Sequence, residues 1–201
     1  WRQPNGAYRE IACRDLLRQL DARNLIDLPG ALHAARRSGY KNRIGNPNIL
    51  RDPIELPLDQ IKPEIQIVLV ERPTQRHLLR DLLGAYHYLG YRQPAGALLK
   101  YLAYSEQGPI AALSFGPAAF KVAARDQFIG WSARQREARL PWLVNNDRFL
   151  ILPWVQVPHL ASWLLSHCLR RLRVDWQHLY RQDLALCETF VQRDRFCGRS
   201  Y

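Results

Sequence analysis

Residues 145–180 read N-N-D-R-F-L-I-L-P-W-V-Q-V-P-H-L-A-S-W-L-L-S-H-C-L-R-R-L-R-V-D-W-Q-H-L-Y. Within this stretch, residues 149–152 are apolar and closed by Pro153, which suits a short buried strand. Pro158 suits the first turn of a helix, where its missing N–H costs nothing. From Leu160 onward, Leu160, Leu164, Cys168, Leu172 and Trp176 recur at helical spacing, with Ala161, Leu165, Leu169 and Leu179 beside them. Arg170, Arg171 and Arg173 fall in the later turns, where cations complement the helix dipole and can also meet phosphate. A buried strand feeding a long amphipathic helix is half of a strand–helix–strand unit. Residues 184–191, L-A-L-C-E-T-F-V, supply the second strand. The rest of the fold is expected to pack around this unit.

Upstream, residues 65–70 (I-Q-I-V-L-V) read as a strand. Pro73-Thr74 opens a helix running to about residue 88, ended by Gly90. Residues 98–104 and 110–115 form a hairpin about a turn at 107–109. Residues 117–139 are helical in two pieces, broken near 129–131, and Ser132 caps the second. The order is strand, helix, strand, strand, helices, strand, long helix, strand. That is a mixed α/β domain, placed at residues 64–201, with an antiparallel hairpin and a later parallel crossover.

Residues 1–29 form a separate helical piece. Pro4, Asn5 and Gly6 make a turn. Residues 8–20 make a helix with Ile11, Ala12, Leu16, Leu17 and Leu20 on one face and Arg9, Arg14, Arg18 and Arg23 on the other. The sequel N-L-I-D-L-P at 24–29 suits a short wing strand. This pattern fits part of a helix-turn-helix or winged-helix module that contacts DNA; an ordinary surface helix is the alternative. Residues 30–63 read as a linker, punctuated by Gly30, Gly39, Gly45, Pro47, Pro53, Pro57 and Pro63. Arg36, Arg37, Lys41, Arg43 and Arg51 precede its first acid, Asp52, as a strap along a phosphate backbone would. A solvated linker with no partner reads the same way.

The composition bounds the possibilities. An apolar fraction of 47% and a charged fraction of 23% exclude disorder over most of the 201 residues. A net charge of +11 points to a polyanion, nucleic acid before membrane surface. Lys occurs only at 41, 62, 100 and 121, so Arg carries the charge, and Arg forks match phosphate and guanine. GC-rich codon usage enriches Arg too, but leaves the net charge unexplained. Cys13, Cys168, Cys187 and Cys197 form no C-x-x-C pair and read as buried, reduced thiols of a cytoplasmic protein. No run reaches membrane-spanning length, no signal peptide is present, and no H-x-x-x-H or paired Cys marks a metal site. The chain starts with Trp and lacks Met, so both ends read as cut inside structured sequence.

The element order resembles the GNAT N-acyltransferase fold. More specifically, the chain is similar to the DruA-like family, named for a component of the Druantia anti-phage defence system and found also near transposases. The resemblance is carried by W-R-Q-P-N-G at 1–6, Y-H-Y-L-G-Y at 86–91, L-K-Y-L-A-Y at 99–104 and A-A-R-D-Q-F-I-G-W at 123–131. It continues with N-N-D-R-F-L-I-L-P at 145–153, H-L-A-S at 159–162, E-T-F-V at 188–191 and C-G-R-S-Y at 197–201. It implies a role in defence or mobile-element biology, with DNA and other defence or transposase proteins as partners. It also implies family sequence beyond both ends.

The GNAT likeness raises acetyl-CoA as an alternative, and an acyl-CoA-dependent N-acyltransferase as the rival function. Such enzymes hold the cofactor pyrophosphate at a helix N-terminus, through a Gly-rich turn. The corresponding turn here, Q-V-P-H-L-A-S at 156–162, has no glycine, and Pro158 removes a donor. A GNAT-like scaffold with no cofactor is therefore the expectation. Tyr201 matches the position of a tyrosine general acid in those enzymes.

Three further residues invite chemistry. His87, between Tyr86 and Tyr88, suits an acid–base group or a stack on bases; an aromatic anchor is the plainer reading. Asp126 suits a cap or ion pair, or part of an acidic site. Glu188 interrupts an apolar strand, which is costly unless it is paired or functional. Arg148 is its expected partner. The alternative is a polar pocket at the carboxyl ends of the strands, made by Glu188 with Asn145, Asn146, Arg148 and Asp126. Spacing gives little support to Asp126 and Glu188 sharing a Mg²⁺ with a phosphate.

Overall fold

The computed structural model describes residues 10–28, 49, 52–92, 96–198 and 200. In chain order the elements are α1 (Glu10–Ala22), α2 (Leu58–Ile61), a 3₁₀ turn (Lys62–Glu64), β1 (Gln66–Leu69) and α3 (Pro73–Tyr86). Next come β2 (Leu99–Ser105), β3 (Gly108–Pro117), α4 (Ala123–Ile129), α5 (Ala133–Arg139) and a 3₁₀ turn (Leu140–Trp142). Last are β4 (Leu143–Ile151), α6 (Leu160–Tyr180) and β5 (Leu186–Thr189). The five strands form one sheet in the order β1-β2-β3-β4-β5. The first four are antiparallel neighbours, and β5 joins β4 in parallel after the α6 crossover.

The expected apolar stripe of α6 is its buried face: Leu160, Leu164, Leu165, Cys168, Leu172 and Trp176. Its start differs from expectation. Pro158 precedes the helix, and His159, at φ 63°, turns the chain through the left-handed region before Leu160. β4 begins well before the apolar run at 149–152. Residues 143–146 bond to β5 on one side while residues 144–146 bond to β3 on the other. Those bonds use the backbone alone, so the polar side chains there do not end the strand.

Residues 110–116 of β3 are buried without a break, so both faces of this central strand are covered. α3 packs against β3 and β4, and α6 against β2. The hairpin turn falls at Glu106 and Gln107. α3 ends at Tyr86, sooner than expected, because His87 is already extended. Gly90, at φ 61°, closes the next turn through its N–H to the His87 carbonyl, 2.7 Å. The break between the two later helices is at Gly130 (φ 78°), and the Ser132 hydroxyl accepts the Gln135 N–H as its cap.

The wing strand expected at 24–29 is not formed by its described residues. α1 ends instead in a Schellman turn: Asn24 is left-handed at φ 55°, and the Leu25 N–H bonds the Leu20 carbonyl at 2.9 Å. The Leu28 N–H then bonds Asp21 Oδ1. Residues 30–48, 50 and 51 of the expected linker, with all five of its strap cations, lie outside the described residues. Farther along that stretch, Ile54 and Ile61 belong to the core, and Ile54 bridges in parallel to Val155. The thiols are free, but only Cys168 is buried, and burial pushes it up to about 12; Cys13, Cys187 and Cys197 are exposed.

Candidate functional site

β4 and β5 pair only over residues 143–146 and 186–189. Beyond that β4 runs on to Ile151, while the chain after β5 turns at 193–195, with the Phe196 N–H bonded to the Gln192 carbonyl. The gap is a cavity of about 780 Å³. Its walls are the end of α3 with Tyr86, His87 and Tyr88, the later half of β4, Ala161 in the first turn of α6, and residues following β5, including Phe190, Arg195 and Phe196. This crevice at the carboxyl ends of two parallel strands is where open α/β sheets bind ligands.

His87 and Asp147 are among the titratable groups that line it. His87 Nδ1 accepts the Leu89 N–H at 3.2 Å, so the neutral ring carries its proton on Nε2. Burial, with the nearby Arg148 cation, lowers His87 to about 4. The ring is therefore neutral at physiological pH, with Nε2–H left as a donor. Asp147 Oδ1 accepts the Ser114 hydroxyl at 2.6 Å, while Arg148 Nη1 lies 3.9 Å from Oδ2. Burial pushes the Asp147 carboxyl up, against the Ser114 bond and Arg148. Around them the aromatic groups form layers. His87 stacks on Tyr88 at 4.8 Å, Phe196 tilts against Tyr88 at 5.3 Å, and the Arg195 guanidinium lies 5.1 Å from the Tyr88 ring centre.

Asn146 lines this cavity, but its side-chain amide is spent on the Ser114 and Arg148 carbonyls across the bulge in β4. Asn145, Arg148, Asp126 and Glu188 are not among the lining residues. Arg148 is not the partner of Glu188. It bonds the Gly90 and Asp147 carbonyls, while Arg125 Nη1 meets both Glu188 oxygens, at 3.1 and 3.2 Å. Arg125 also holds Asp126 through Nε and Nη2, and Arg136 meets the other Asp126 oxygen at 3.1 Å. For Asp126, burial acts upward, but the bonds from Arg125 and Arg136 outweigh it and hold the carboxyl below its ordinary range. Arg125 thus stands between the two carboxylates that a shared Mg²⁺ would need to bridge. Among the described residues no group of three or more His, Cys, Asp or Glu could hold a metal. Asn145, opposite Glu188 in register, keeps a buried Oδ1 with no hydrogen-bond partner.

Sequence reasoning passed over Asp147, Arg195 and Phe196. Asp147 carried a signal: a carboxylate inside a strand demands an explanation once Leu143-Val144 is read as the strand's start. Arg195 and Phe196 follow the last strand without periodicity and carried none. Of the candidate nucleic-acid contacts, Arg18 is exposed on α1. Arg9, Arg36, Arg37, Lys41, Arg43 and the Arg14 side chain lie outside the described residues, as does Tyr201. No described helix is long and apolar enough to cross a membrane.

The family of Druantia protein DruA matches the chain over residues 17–201. No curated protein and no solved structure matches it.

Proposed function

The chain belongs to the DruA family, and we propose that it is a nucleic-acid-associated component of Druantia anti-phage defence that holds DNA through its basic N-terminal region. The observation that carries this is charge. The chain has 29 Lys and Arg against 18 Asp and Glu, and five cations lie between residues 29 and 51 with no acid among them. Such a segment binds phosphates by releasing their counterions. α1, with Arg18 exposed, would contribute as part of a helix-turn-helix-like module. The α/β domain would be a GNAT-like scaffold, a reading supported by the α6 crossover between parallel β4 and β5. A mobile-element setting beside a transposase would use the same DNA contacts.

Replacing Arg36, Arg37, Lys41 and Arg43 by Ala tests this. Each lost phosphate contact lowers the slope of log affinity against log salt by roughly 0.9, so the variant should lose roughly 3–4 from that slope. Unchanged duplex affinity and slope would remove this segment from the interface.

One observation favours the acyltransferase alternative: the cavity reaches Ala161 in the first turn of α6, where N–H groups lack intrahelical acceptors, although the Leu160 N–H is taken by the Val157 carbonyl. The same region opposes it. Residues 157–162 offer no glycine, Pro158 has no N–H, and Asp147 would repel a pyrophosphate. Among the described lining residues Arg195 is the one cation. Acetyl-CoA should therefore give no thermal shift under conditions where duplex DNA gives one. A saturable shift of several degrees with acetyl-CoA would reverse the ranking.

A further inference from the structure

We infer that the cavity between β4 and the chain following β5 receives a single nucleobase, from an unpaired or everted nucleotide, stacking it on the aromatic wall and reading its edge with His87 and Asp147. This rests on the nucleic-acid reading for the source of the base, but the pocket's chemistry stands by itself.

The first support is aromatic surface. Phe190 and Phe196 line the cavity and remain 54% and 49% exposed. Rings left open inside a concave site offer stacking faces, and a base supplies a matching flat π surface. The wall is also braced. His87 stacks on Tyr88, and the Arg195 guanidinium lies over the same ring, so a base meets a layered surface at small ordering cost.

The second support is the polar pair. His87 Nε2–H is a donor, because Nδ1 is occupied by the Leu89 N–H. Asp147 Oδ2 is an acceptor, because only Oδ1 is occupied by Ser114. Burial holds the imidazole neutral, so the donor persists at physiological pH. A donor and an acceptor on one apolar cavity complement the edge of a heteroaromatic base. An acyl chain would leave both groups desolvated without partners, which is costly. A phosphate would face the Asp147 carboxylate. Arg195, the lining cation, suits the phosphodiester of the same nucleotide. A volume of about 780 Å³ holds a nucleotide with water to spare.

The test uses the full chain and two duplexes of one sequence. One is fully matched; the other carries a central unpaired 2-aminopurine, whose fluorescence reports stacking. The unpaired duplex should bind tighter by about tenfold or more, with a change in its fluorescence. Phe196→Leu should bring its affinity down to that of the matched duplex, leaving matched-duplex affinity and salt slope unchanged. Asp147→Asn should do the same: its Oδ1 still accepts from Ser114, while an NH₂ replaces the acceptor that faces the base. Asp147→Asn also guards against misfolding, because removing a buried charge should leave the melting temperature no lower. Equal affinity for the two duplexes, or a preference that survives both variants, overturns the pocket. If neither duplex binds, the DNA reading fails, and dAMP, dCMP, dGMP and dTMP decide the pocket by titration. Mononucleotide binding lost in Phe196→Leu and Asp147→Asn upholds it; no binding, or binding that both variants retain, overturns it.

Discussion

Arg125→Met is expected to destabilise the domain by about 3 kcal/mol or more, which for a chain of this size is a melting temperature lower by roughly 6–12 °C. Arg125 makes ion pairs with Asp126 and Glu188, and its own side chain is only 8% exposed. Glu188 is 13% exposed; among the described residues it has no other cation, and its further donor is the Ala119 N–H at 3.2 Å. Removing Arg125 leaves that carboxylate desolvated and unpaired, and breaking a buried pair costs more than the pair was worth. The Arg125 bond to the Ala119 carbonyl at 2.8 Å is lost as well, so the link between the start of α4 and the β5 edge opens. Glu188→Gln should cost much less, about 1–2 kcal/mol, because its amide oxygen keeps the Ala119 N–H and Arg125 keeps Asp126. The acid limb should change too. Asp126 is held below its ordinary pKa, so its contribution is present above about pH 4 and is lost as pH falls through the lower folded value. In Arg125→Met that acid-labile part should shrink. A loss under 1 kcal/mol in urea denaturation would show that the network contributes little.

This network shows where the sequence stops being legible. The α6 stripe could be read because Leu160, Leu164, Cys168, Leu172 and Trp176 sit on one face of a 3.6-residue period, and the period is local. The Gly130 and Ser132 break could be read because left-handed turns and caps demand particular residues. The partner of Glu188 could not. Arg125 is 63 positions away in sequence, and only the register of β5 on β4 brings them together. Arg148 looked equally eligible, yet its guanidinium is spent on the carbonyls of Gly90 and Asp147. The start of β4 was hidden because a strand is held by its backbone, and N-N-D-R is polar only in its side chains. His87 stood out between two tyrosines, but its role as a donor depends on the Leu89 N–H, which no spacing encodes. The far wall of the cavity, Arg195 and Phe196, lies in a turn with no periodicity.

Asp175→Ala should be the other severe change, at about 3 kcal/mol, because it opens the clamp that sets α6 on the sheet. Asp175 Oδ2 accepts the Tyr101 hydroxyl from β2 at 2.6 Å and Arg171 Nε at 2.8 Å. Arg171 Nη1 goes on to the Ile67 carbonyl in β1, also at 2.8 Å, so one carboxylate ties the helix to two strands. Tyr101 is fully buried; burial and then the Asp175 bond push its hydroxyl far above the ordinary range. Without Asp175 that hydroxyl loses its acceptor at a site water does not reach, and Arg171 loses the group that aims it at Ile67. Tyr101→Phe should cost only about 1 kcal/mol, since Asp175 keeps Arg171, which is itself 40% exposed and partly served by water. Asp175→Asn should lie nearest the wild type, because its amide oxygen can still accept from Tyr101. A double-mutant cycle between Tyr101→Phe and Asp175→Ala should show coupling of about 1 kcal/mol. If Tyr101→Phe proves the more damaging of the two, the hydroxyl matters for a reason other than Asp175. The consequence for the cavity follows from helix rigidity: Ala161 lies 14 residues from Asp175 along one unbroken helix, roughly 21 Å at 1.5 Å per residue. A register fixed at Asp175 is thus transmitted to the first turn of α6, and Asp175→Ala should weaken nucleotide binding at the cavity although it touches none of its walls.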